Sequence, residues 1–392
     1  MKILMIHDRY LIRGGEDEST DVEISMLRQH GNTVDFLEMD NRIIAGQSLL
    51  RTGVETIWSS RAYRAVRERI SSSQCDLVHV QNFFPLFSPS IHHAAKAEGK
   101  PVVQALRNYR LFCLNVVFLR DHRICEDCMG KILPWPGVIH RCYRGSLAGS
   151  TSVASMLVIH RALNTWKSKV DVFVALTEFA RRKYVQGGLA EDHIMVKPNF
   201  TLSDPGLGYH QGNFVLFAGR LSPEKGLGLI SRAWEELKDV PLKIVGDGPM
   251  LAELVELSRR NPNIELHGRL DHSTVLELMK DARLLIFPSE WYEGFPRVIV
   301  EAFACGLPVL TTNLGSMSEI VVENISGLHM HKADSFELAR KVRWGWEHQG
   351  QLAEMGRNAR REYLEKYTSD RNYQVLMNIY QAAVDRSARQ DT

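Results

Sequence analysis

Short apolar runs alternate with helix-length segments along the whole chain, and this alternation restricts the fold most. The runs are nearly continuous in apolar residues, which is typical of parallel strands buried on both faces of a sheet. They are KILMI, TVDFLE, LVHVQ, PVVQAL, VDVFVALT and IMVKPN, then FVLFAG, LKIVGDG, IELHG, ARLLIFPS and PVLTTN. Helical candidates between or after them include STDVEISMLRQHG, LAELVELSRR, STVLELMKDA and FELARKVRWGWEHQGQLAEMGRNARREYLEKY. We therefore predict an α/β protein with two doubly wound, Rossmann-like domains.

One segment is the best candidate for a boundary between these domains. NFTLSDPGLGYHQGN, residues 199–213, is rich in Gly, Pro, Asp and Ser and separates the two sets of runs. It divides the chain into domains 1–198 and 199–392, each close to the usual size of about 100–200 residues. Because ligands of doubly wound sheets bind at the carboxyl ends of the strands, we expect the domains to face a ligand cleft.

Charge and composition exclude several classes of protein. The chain is 44% hydrophobic and 24% charged, as globular proteins are, and its net charge of +2 gives no basis for a nucleic-acid partner. No run approaches the ~18 apolar residues of a membrane span. MKILMIHDRY is interpreted as a strand and not as a secretory signal. We therefore expect a cytoplasmic protein whose cysteines are thiols or metal ligands.

The two predicted domains differ in charge. Residues 1–198 hold 26 basic and 20 acidic residues, a balance of +6, whereas residues 199–392 hold 22 and 26, a balance of −4. Such asymmetry indicates an anionic partner. The helical candidate IWSSRAYRAVRERI carries aromatic residues and four arginines: Trp58, Tyr63, Arg61, Arg64, Arg67 and Arg69. Its two interpretations are a solvated helix face and contact with an anionic acceptor or the anionic inner face of a membrane.

A glycine-rich turn follows the first predicted strand of the second domain. In GRLSPEKG, Gly219 and Arg220 open the turn, and Lys225 stands five positions after the arginine and before a predicted helix. Backbone N–H groups at a helix start, together with two cations, make an anion site. The spacing is not that of a Walker loop. A solvated loop with two chance cations is the alternative for this segment alone.

Two carboxylates flank a Gly-Phe-Pro segment farther on, in EGFPRVIVE. Pro296 suits the first turn of a helix, so Glu293 is predicted in the preceding loop and Glu301 inside the helix. Glu301 has apolar neighbours in sequence, and a buried carboxylate needs hydrogen-bond donors. Vicinal hydroxyl groups are suitable donors, since an ionised carboxylate only accepts. Together with the turn before them, the two glutamates favour a sugar-diphosphate site.

These segments resemble one known family. GRLSPEKG, GDGP, PSEWYEGFPRVIVEAFACGLPVL and GSMSEIV are similar to the C-terminal half of the retaining GT-B-fold glycosyltransferases of the family-four group, the glycosyl transferases group one. RGGEDE and HVQNFFPLFSPS match in the first half, so the resemblance covers nearly the whole chain. It implies an acceptor-side domain followed by a donor-side domain, with the C-terminal helix as a candidate to return to the first.

The resemblance also implies roles for individual residues. Arg220 and Lys225 would hold the donor diphosphate, Glu293 the hexose hydroxyls and Glu301 the nucleotide ribose. The full donor-binding set is expected to be Gly14, Gly15, Gly219, Arg220, Lys225, Glu293, Gly294, Phe295, Pro296 and Glu301. The Gly14–Gly15 pair is included because the family has such a loop near the donor phosphates. A plain strand-to-helix turn is the alternative.

The implied activity is transfer of a hexose from a UDP- or GDP-sugar to a hydroxyl of a glycan or lipid-linked acceptor, with retention by same-face attack. Fixed cations would stabilise the leaving diphosphate. The sequence has no Asp-x-Asp motif, so we expect no catalytic metal. The alternatives are a GT-B nucleotide-sugar epimerase and a nucleotide-sugar-binding protein with weak or no catalysis.

The first domain departs from the family at two positions. Arg107, in ALRNYRLFCLN, and Gln81, in LVHVQNFFP, stand where relatives often have histidines. An arginine cannot act as a base, but it binds oxyanions. Arg107 is therefore expected either to pair with a carboxylate at the domain interface or to join the other catalytic candidates, Arg220, Lys225 and Glu293.

Four of the six cysteines cluster in an insert of the first domain, at about residues 113–142. CEDC is a Cys-x-x-Cys knuckle, and two flanking cysteines complete a tetrahedral set: Cys113, Cys125, Cys128 and Cys142. Structural zinc is the leading interpretation, with free thiols and a disulfide as alternatives.

Overall fold

Two units of parallel β-sheet make up the part of the chain that the structure, a computed structural model, describes: residues 1–11, 14–42, 48–331 and 333–390. The first unit comprises residues 1–120, 125–198 and 372–392. The second comprises residues 121–124 and 199–371. This division differs from the expected domains 1–198 and 199–392 at residues 121–124 and 372–392.

The first unit is built on a six-stranded parallel sheet with the strand order β2-β1-β3-β4-β7-β8, and β5 pairs with β6 separately. The order reverses between β1 and β3, which is the topological switch point of a doubly wound sheet. The strands of this sheet are β1 (Lys2–Arg9), β2 (Thr33–Asp40), β3 (Leu77–Asn82), β4 (Val102–Ala105), β7 (Val172–Ala175) and β8 (Ile194–Val196). Of the separate pair, β5 (Leu119–Arg120) belongs to the first unit and β6 (Arg123–Ile124) to the second.

The helices of this unit begin at residues that suit helix starts. Ser59, Ser146 and Thr177 each accept a hydrogen bond from a backbone N–H of the first helical turn. The helices are α1 (Gly15–Gln29), α2 (Leu49–Ile57), α3 (Ser60–Ser73), α4 (Ser90–Ala97), α5 (Trp135–Ile139), α6 (Leu147–Ala162), α7 (Thr165–Ser168) and α8 (Glu178–Gln186).

The second unit has a six-stranded parallel sheet with the strand order β11-β10-β9-β12-β13-β14. Counted within the unit this is the Rossmann order 3-2-1-4-5-6, with its switch point between β9 and β12. The strands are β9 (Val215–Ala218), β10 (Leu242–Val245), β11 (Ile264–Gly268), β12 (Leu284–Phe287), β13 (Val309–Thr312) and β14 (Gly327–Met330). The helices are α9 (Leu227–Ala233), α10 (Leu251–Arg260), α11 (His272–Asp281), α12 (Arg297–Cys305), α13 (Ser316–Ile320), α14 (Ser335–Glu347) and α15 (Gln349–Lys366).

The last helix, α16 (Ser369–Gln390), explains why the chain end groups with the first unit. The Lys197 ammonium donates to Asn372 Oδ1 at 2.9 Å. The Tyr380 hydroxyl lies 2.9 Å from His79 Nδ1. These buried contacts join polar groups of the first unit to the chain end.

The predicted α/β class of two Rossmann-like sheets is confirmed, and every predicted run forms a strand. One core strand was missed, β14, because its sequence GLHM is short and has few β-branched residues. The long helical candidate near the chain end divides into α14 and α15 at His348. In the described part of the chain, no helix is both long and apolar enough to cross a membrane.

Candidate functional site

The predicted donor residues of the second unit follow the two strands at its switch point. One loop leaves β9 and carries Arg220 and Lys225, and another leaves β12 and carries Glu293. Backbone and side-chain bonds join these loops, because Glu290 N and Ser289 Oγ both donate to the Glu224 carbonyl, at 2.9 and 3.2 Å. The sheet therefore brings together residues about 70 positions apart in sequence.

Glu293 is buried and receives three hydrogen bonds on one of its two oxygens. Lys225 Nζ lies 2.6 Å from Glu293 Oε1, and Ser289 Oγ and Trp291 Nε1 donate to the same atom at 2.6 and 2.5 Å. Among the described residues, none donates to Oε2. An ionised carboxylate has acceptor capacity on both oxygens, so Glu293 can accept a further hydrogen bond from a ligand.

The position of Lys225 depends on the glycine that follows it. Gly226 has φ +76°, and a Cβ there would lie 2.0 Å from the Pro288 carbonyl oxygen. Only glycine combines this conformation with so close an approach of the two loops. The Lys225 ammonium also lies over two aromatic rings, 5.1 Å from the centroid of Phe287 and 5.4 Å from that of Trp291.

Arg220 differs from Lys225 in having an exposed side chain. Its guanidinium makes no hydrogen bond or ion pair to any residue in the described ranges. Gly219, just before it, donates its N–H to the Val245 carbonyl at 3.0 Å. Arg220 thus places a cation, on a long side chain, at the carboxyl end of β9. Its guanidinium can bind an anionic ligand there without breaking a contact within the protein.

Glu301 lies inside α12, as predicted, and Pro296 immediately precedes that helix. The carboxylate is buried, and its Oε1 lies 3.1 Å from His272 Nε2 and 3.4 Å from Arg297 Nη2. Its contacts with the described residues all go to Oε1, so Oε2 of this second glutamate is also available to a ligand.

The loop between the two glutamates is fixed by the unit around it. The Phe295 ring is buried edge-on against Tyr367, with centroids 5.8 Å apart, and the Phe295 carbonyl accepts from Asn199 Nδ2 at 3.1 Å. Gly294 lies half-buried beside Glu293. This support holds the loop in one geometry before a ligand arrives.

In the first unit, the predicted Gly-Gly loop leads into α1. Gly14 has extended backbone (φ −137°), and its N–H donates to Asp17 Oδ2 at 3.1 Å. Nothing lies within 4 Å of the position a Cβ would take at Gly15, so the space beside it is open. Arg13, the first residue of RGGEDE, lies outside the described residues.

Arg107 lies in a buried polar network of the first unit. Its Nε and Nη2 donate to Gln81 Oε1 at 3.1 and 2.7 Å, and Nη2 lies 3.6 Å from Glu23 Oε2. Gln81 Nε2 donates to Glu23 Oε1 at 2.5 Å, and Lys197 Nζ lies 2.7 Å from Glu23 Oε2. The two departures from the family, Arg107 and Gln81, are therefore bonded to each other and share one carboxylate.

Burial and charge set the protonation of this network. Burial, together with repulsion from Arg107 and Lys197, outweighs attraction to Glu23 and lowers the pKa of His79 to about 4. Burial alone would raise the pKa of Glu23, but Lys197, His79 and Arg107 lower it to about 2. At neutral pH the histidine is neutral and the glutamate is charged.

A small cavity of about 20 Å³, the space of roughly one water molecule, lies beside Arg107 at the carboxyl ends of β3 and β4. Arg110 also lines it and is buried, with its guanidinium carbon 3.6 Å from the ring centroid of Phe84. Its Nε and Nη1 have no hydrogen-bond partner among the described residues. Glu16 and Asn108 also line the cavity and are bonded to each other at 3.2 Å.

None of the six cysteines forms a disulfide. Cys113 and Cys128 are buried, whereas Cys125 and Cys142 are partly exposed, and the Cys113 thiol donates to Asn115 Oδ1 at 2.8 Å. Burial raises the pKa of the Cys113 thiol to about 11. Within the described ranges, no three His, Cys, Asp or Glu side chains are grouped so that they could hold a metal ion. Zinc at these cysteines stays a prediction.

Sequence reasoning missed the residues that hold the predicted ones in place. Ser289 and Trp291 bind Glu293, His272 contacts Glu301, and Glu23 contacts Arg107. Ser289 and Trp291 were detectable, since both directly follow a predicted strand in PSEWYEG. Glu23 was not, because nothing in an amphipathic helix such as α1 shows which acid faces the sheet.

Comparison with known proteins finds sequence similarity mainly in the second unit. Residues 202–362 match the family described as Glycosyl transferases group 1. An uncharacterized glycosyltransferase of Methanocaldococcus jannaschii is 29% identical over 181 residues, 45% of this chain and 51% of that protein. The D-rhamnosyltransferase WbpZ of Pseudomonas aeruginosa is 32% identical over 162 residues, 40% of this chain and 42% of WbpZ. The chain thus matches about half the length of these curated relatives.

Solved structures match over nearly the whole chain. HepE of Anabaena in complex with UDP has a TM-score of 0.69 at 18% identity, and the match covers 97% of this chain and 100% of HepE. At this identity the likeness shows the fold, and it confirms the predicted GT-B class of two Rossmann-like domains. The match to the glycosyl transferases group 1 family thus covers residues 202–362 of this chain.

Proposed function

We propose that the protein is a retaining glycosyltransferase that moves a hexose from a UDP- or GDP-sugar to a hydroxyl of a glycan or lipid-linked acceptor. The family of residues 202–362 supports this proposal, as do relatives named as glycosyltransferases. HepE has been solved with UDP and with UDP-glucose. The observation that carries the proposal is Glu293, whose Oε1 receives three protein donors while Oε2 is left for a sugar hydroxyl.

The donor would bind at the carboxyl ends of β9 and β12. Arg220 and Lys225 contact the diphosphate. Gly219, which has no side chain, lets the diphosphate come close to the backbone. Glu293, with Gly294, Phe295 and Pro296 in the same loop, faces the hexose. Glu301 accepts from ribose hydroxyls through Oε2, while His272 and Arg297 hold Oε1. Both carboxylates would then bind diols with one oxygen and the protein with the other.

The Lys225–Glu293 pair prepares this site for charge development. Before the donor binds, the ammonium is already held at 2.6 Å from the carboxylate, so little reorganisation is needed when the diphosphate arrives. Negative charge grows on the leaving phosphate, and Lys225 and Arg220 stabilise it. The departing phosphate oxygen takes the proton of the acceptor hydroxyl, which attacks from the same face and gives retention. No catalytic metal ion is needed in this scheme.

The first unit would bind the acceptor, and its Gly-Gly loop is proposed to contact phosphate. Gly14 and Gly15 approach the donor phosphates, supported by the open space at Gly15. Arg107 is proposed as a third cation that contacts the substrate, and Gln81 and Glu23 orient its guanidinium. The small adjoining cavity, where Arg110 Nε and Nη1 have no partner among the described residues, offers donors to a single acceptor oxygen. We propose that the protein acts in the cytoplasm and, with a lipid-linked acceptor, peripherally at the inner membrane face.

One experiment tests the function. The full-length protein is incubated with radiolabelled UDP-glucose, UDP-galactose or GDP-mannose and a panel of glycan and lipid-linked acceptors, with EDTA or with added Mg²⁺. We expect label on an acceptor, with the anomeric configuration of the donor retained, and similar rates in both conditions. An epimerised nucleotide sugar, or binding without any transfer, would overturn the proposal. Transfer only with Mg²⁺ would contradict the metal-independent mechanism.

A further inference from the structure

The second part of the cysteine-containing insert lies in a stretch of the chain that has no acidic residues. Residues 128–170 contain no Asp or Glu but six basic residues: Lys131, Arg141, Arg144, Arg161, Lys167 and Lys169. This segment alone accounts for the positive balance of the first half of the sequence. The two carboxylates just before it are engaged, since Glu126 pairs with Lys183 and Asp127 with Arg120, at 2.7 and 2.8 Å.

The same segment exposes an unusual amount of apolar surface. Ile132 is 80% exposed, Leu133 53%, Trp135 51% and Ile139 64%. Trp135 and Ile139 stand four positions apart on α5, so they lie on one face of that helix. Large apolar side chains that are exposed together mark an interaction surface, whereas isolated ones need no explanation.

This apolar surface belongs to a folded platform. The opposite side of α5 is buried, and a Cβ at Gly137 would lie 2.7 Å from a Leu114 methyl carbon. Arg161, on α6, donates to the carbonyls of Lys131 and Ile132 at 2.6 and 2.8 Å. The Arg161 guanidinium therefore fixes the backbone that carries Ile132. The apolar side chains are exposed because no other part of the described chain covers them.

Exposed cations stand near the apolar side chains in sequence, and one of them lies beside Trp135. Lys131, Arg141 and Arg144 are exposed, and the Lys131 ammonium lies 5.9 Å from the ring centroid of Trp135. We propose that this insert surface, defined as Ile132, Leu133, Trp135 and Ile139 with Lys131, Arg141 and Arg144, docks onto the surface of an anionic lipid bilayer. Indole and aliphatic side chains enter the headgroup boundary, while the basic side chains neutralise lipid phosphates.

Charge complementarity favours a lipid surface at the insert over the helix that the sequence suggested. On α3, Arg67 and Arg69 are paired with Glu98 and Asp35, at 2.6 and 2.5 Å. Three residues of α3 are buried, and none of the large exposed hydrophobic side chains belongs to that helix. The insert surface combines basic side chains that have no ion pair among the described residues with exposed apolar side chains. This is the composition of surfaces that bind at membrane interfaces.

Vesicle sedimentation tests the proposal. Full-length protein is mixed with phosphatidylcholine vesicles that contain either no anionic lipid or about 30% phosphatidylglycerol, a composition that gives a strongly negative surface. We expect sedimentation with the anionic vesicles and its loss at high salt. Trp135→Asp/Ile139→Asp and Arg141→Glu/Arg144→Glu should each weaken binding about 10-fold or more.

Controls separate the surface from general effects. Phe336→Asp alters a side chain that is 68% exposed on the second unit, and it should bind vesicles as wild type does. Unchanged thermal midpoints and nucleotide binding would show that the insert variants fold. Equal sedimentation of wild type and both insert variants would overturn the proposal. So would a concentration-dependent dimer, lost in Trp135→Asp/Ile139→Asp without any vesicle binding, since it would assign the surface to self-association.

Discussion

Lys225 and Glu293 form an ion pair at 2.6 Å although 68 positions separate them in sequence. The pair exists because β9 and β12 are neighbours at the switch point of the second sheet, so the loops that follow them meet. It joins the residue proposed to bind phosphate to the residue proposed to bind the hexose.

Lys225→Ala should weaken nucleoside diphosphate binding about 10- to 150-fold, the effect of losing a charge-assisted hydrogen bond. It should also lower the unfolding free energy, because Glu293 keeps its buried charge without its cation. Calorimetric titration and urea unfolding measure the two effects. Lys238→Ala, at an exposed lysine of the same unit, is the matched control. Wild-type affinity in Lys225→Ala would refute the phosphate role.

Glu301→Gln should weaken binding of the nucleoside diphosphate and of the nucleotide sugar alike, because the ribose is common to both. The amide is nearly isosteric, so contacts with His272 and Arg297 are weakened but the helix should survive. Titration of both ligands measures this, with Glu235→Gln, at an exposed glutamate, as control. If Glu301→Gln lost affinity for the nucleotide sugar alone, Glu301 would contact the hexose and not the ribose.

Much of this site could be predicted from sequence because its residues lie in two short segments directly after strands. Pro296 was predicted at the helix start, and α12 begins at the next residue. The partner of Arg107 could not be predicted, since Glu23 and Gln81 come from a helix and a strand whose facing residues only tertiary packing decides. The missed strand β14 is likewise determined by pairing with β13 and not by its own sequence.

Arg107→Ala should lower both thermal stability and nucleoside diphosphate affinity. Stability falls because Glu23 and Gln81 lose a buried partner, and affinity falls if the guanidinium also contacts donor phosphate. Thermal unfolding with and without UDP or GDP measures both. Arg182→Ala, on the same unit, serves as control for loss of one arginine. If stability falls while nucleotide affinity stays at the wild-type value, Arg107 has a structural role only.

The free energy of unfolding should fall as the pH is lowered from about 6.5 to 4. In this window an unfolded histidine binds a proton, whereas His79, with its pKa lowered to about 4, stays neutral in the fold. The expected slope is about 1.4 kcal/mol per pH unit for one such histidine. Urea unfolding at several pH values measures it. His79→Gln should reduce the slope by about this amount, because His92 and His93, whose pKa values burial also lowers to about 4, still contribute. Exposed His331→Gln should leave the slope unchanged; equal slopes in all three proteins would contradict the assignment.

Protein purified without chelator should contain about one zinc per chain if the four insert cysteines bind it, since structural zinc is usually four-coordinate. Elemental analysis of wild type and Cys125→Ser measures the metal directly. Cys75→Ala, which changes a cysteine outside the insert, should retain it. Metal-free wild type, with Cys125→Ser as stable as wild type, would leave these residues as free thiols.

The most direct test of the donor site is calorimetric titration of wild type and Glu293→Gln with a nucleoside diphosphate and with the matching nucleotide sugar, for UDP or GDP, whichever binds. If Glu293 Oε2 accepts a hydrogen bond from the hexose, wild type should bind the nucleotide sugar with an affinity to which the sugar contributes. Glu293→Gln should lose that contribution. The variant should keep its affinity for the nucleoside diphosphate, because Arg220 and Lys225 remain. Equal affinities of wild type and Glu293→Gln for the nucleotide sugar would contradict the account.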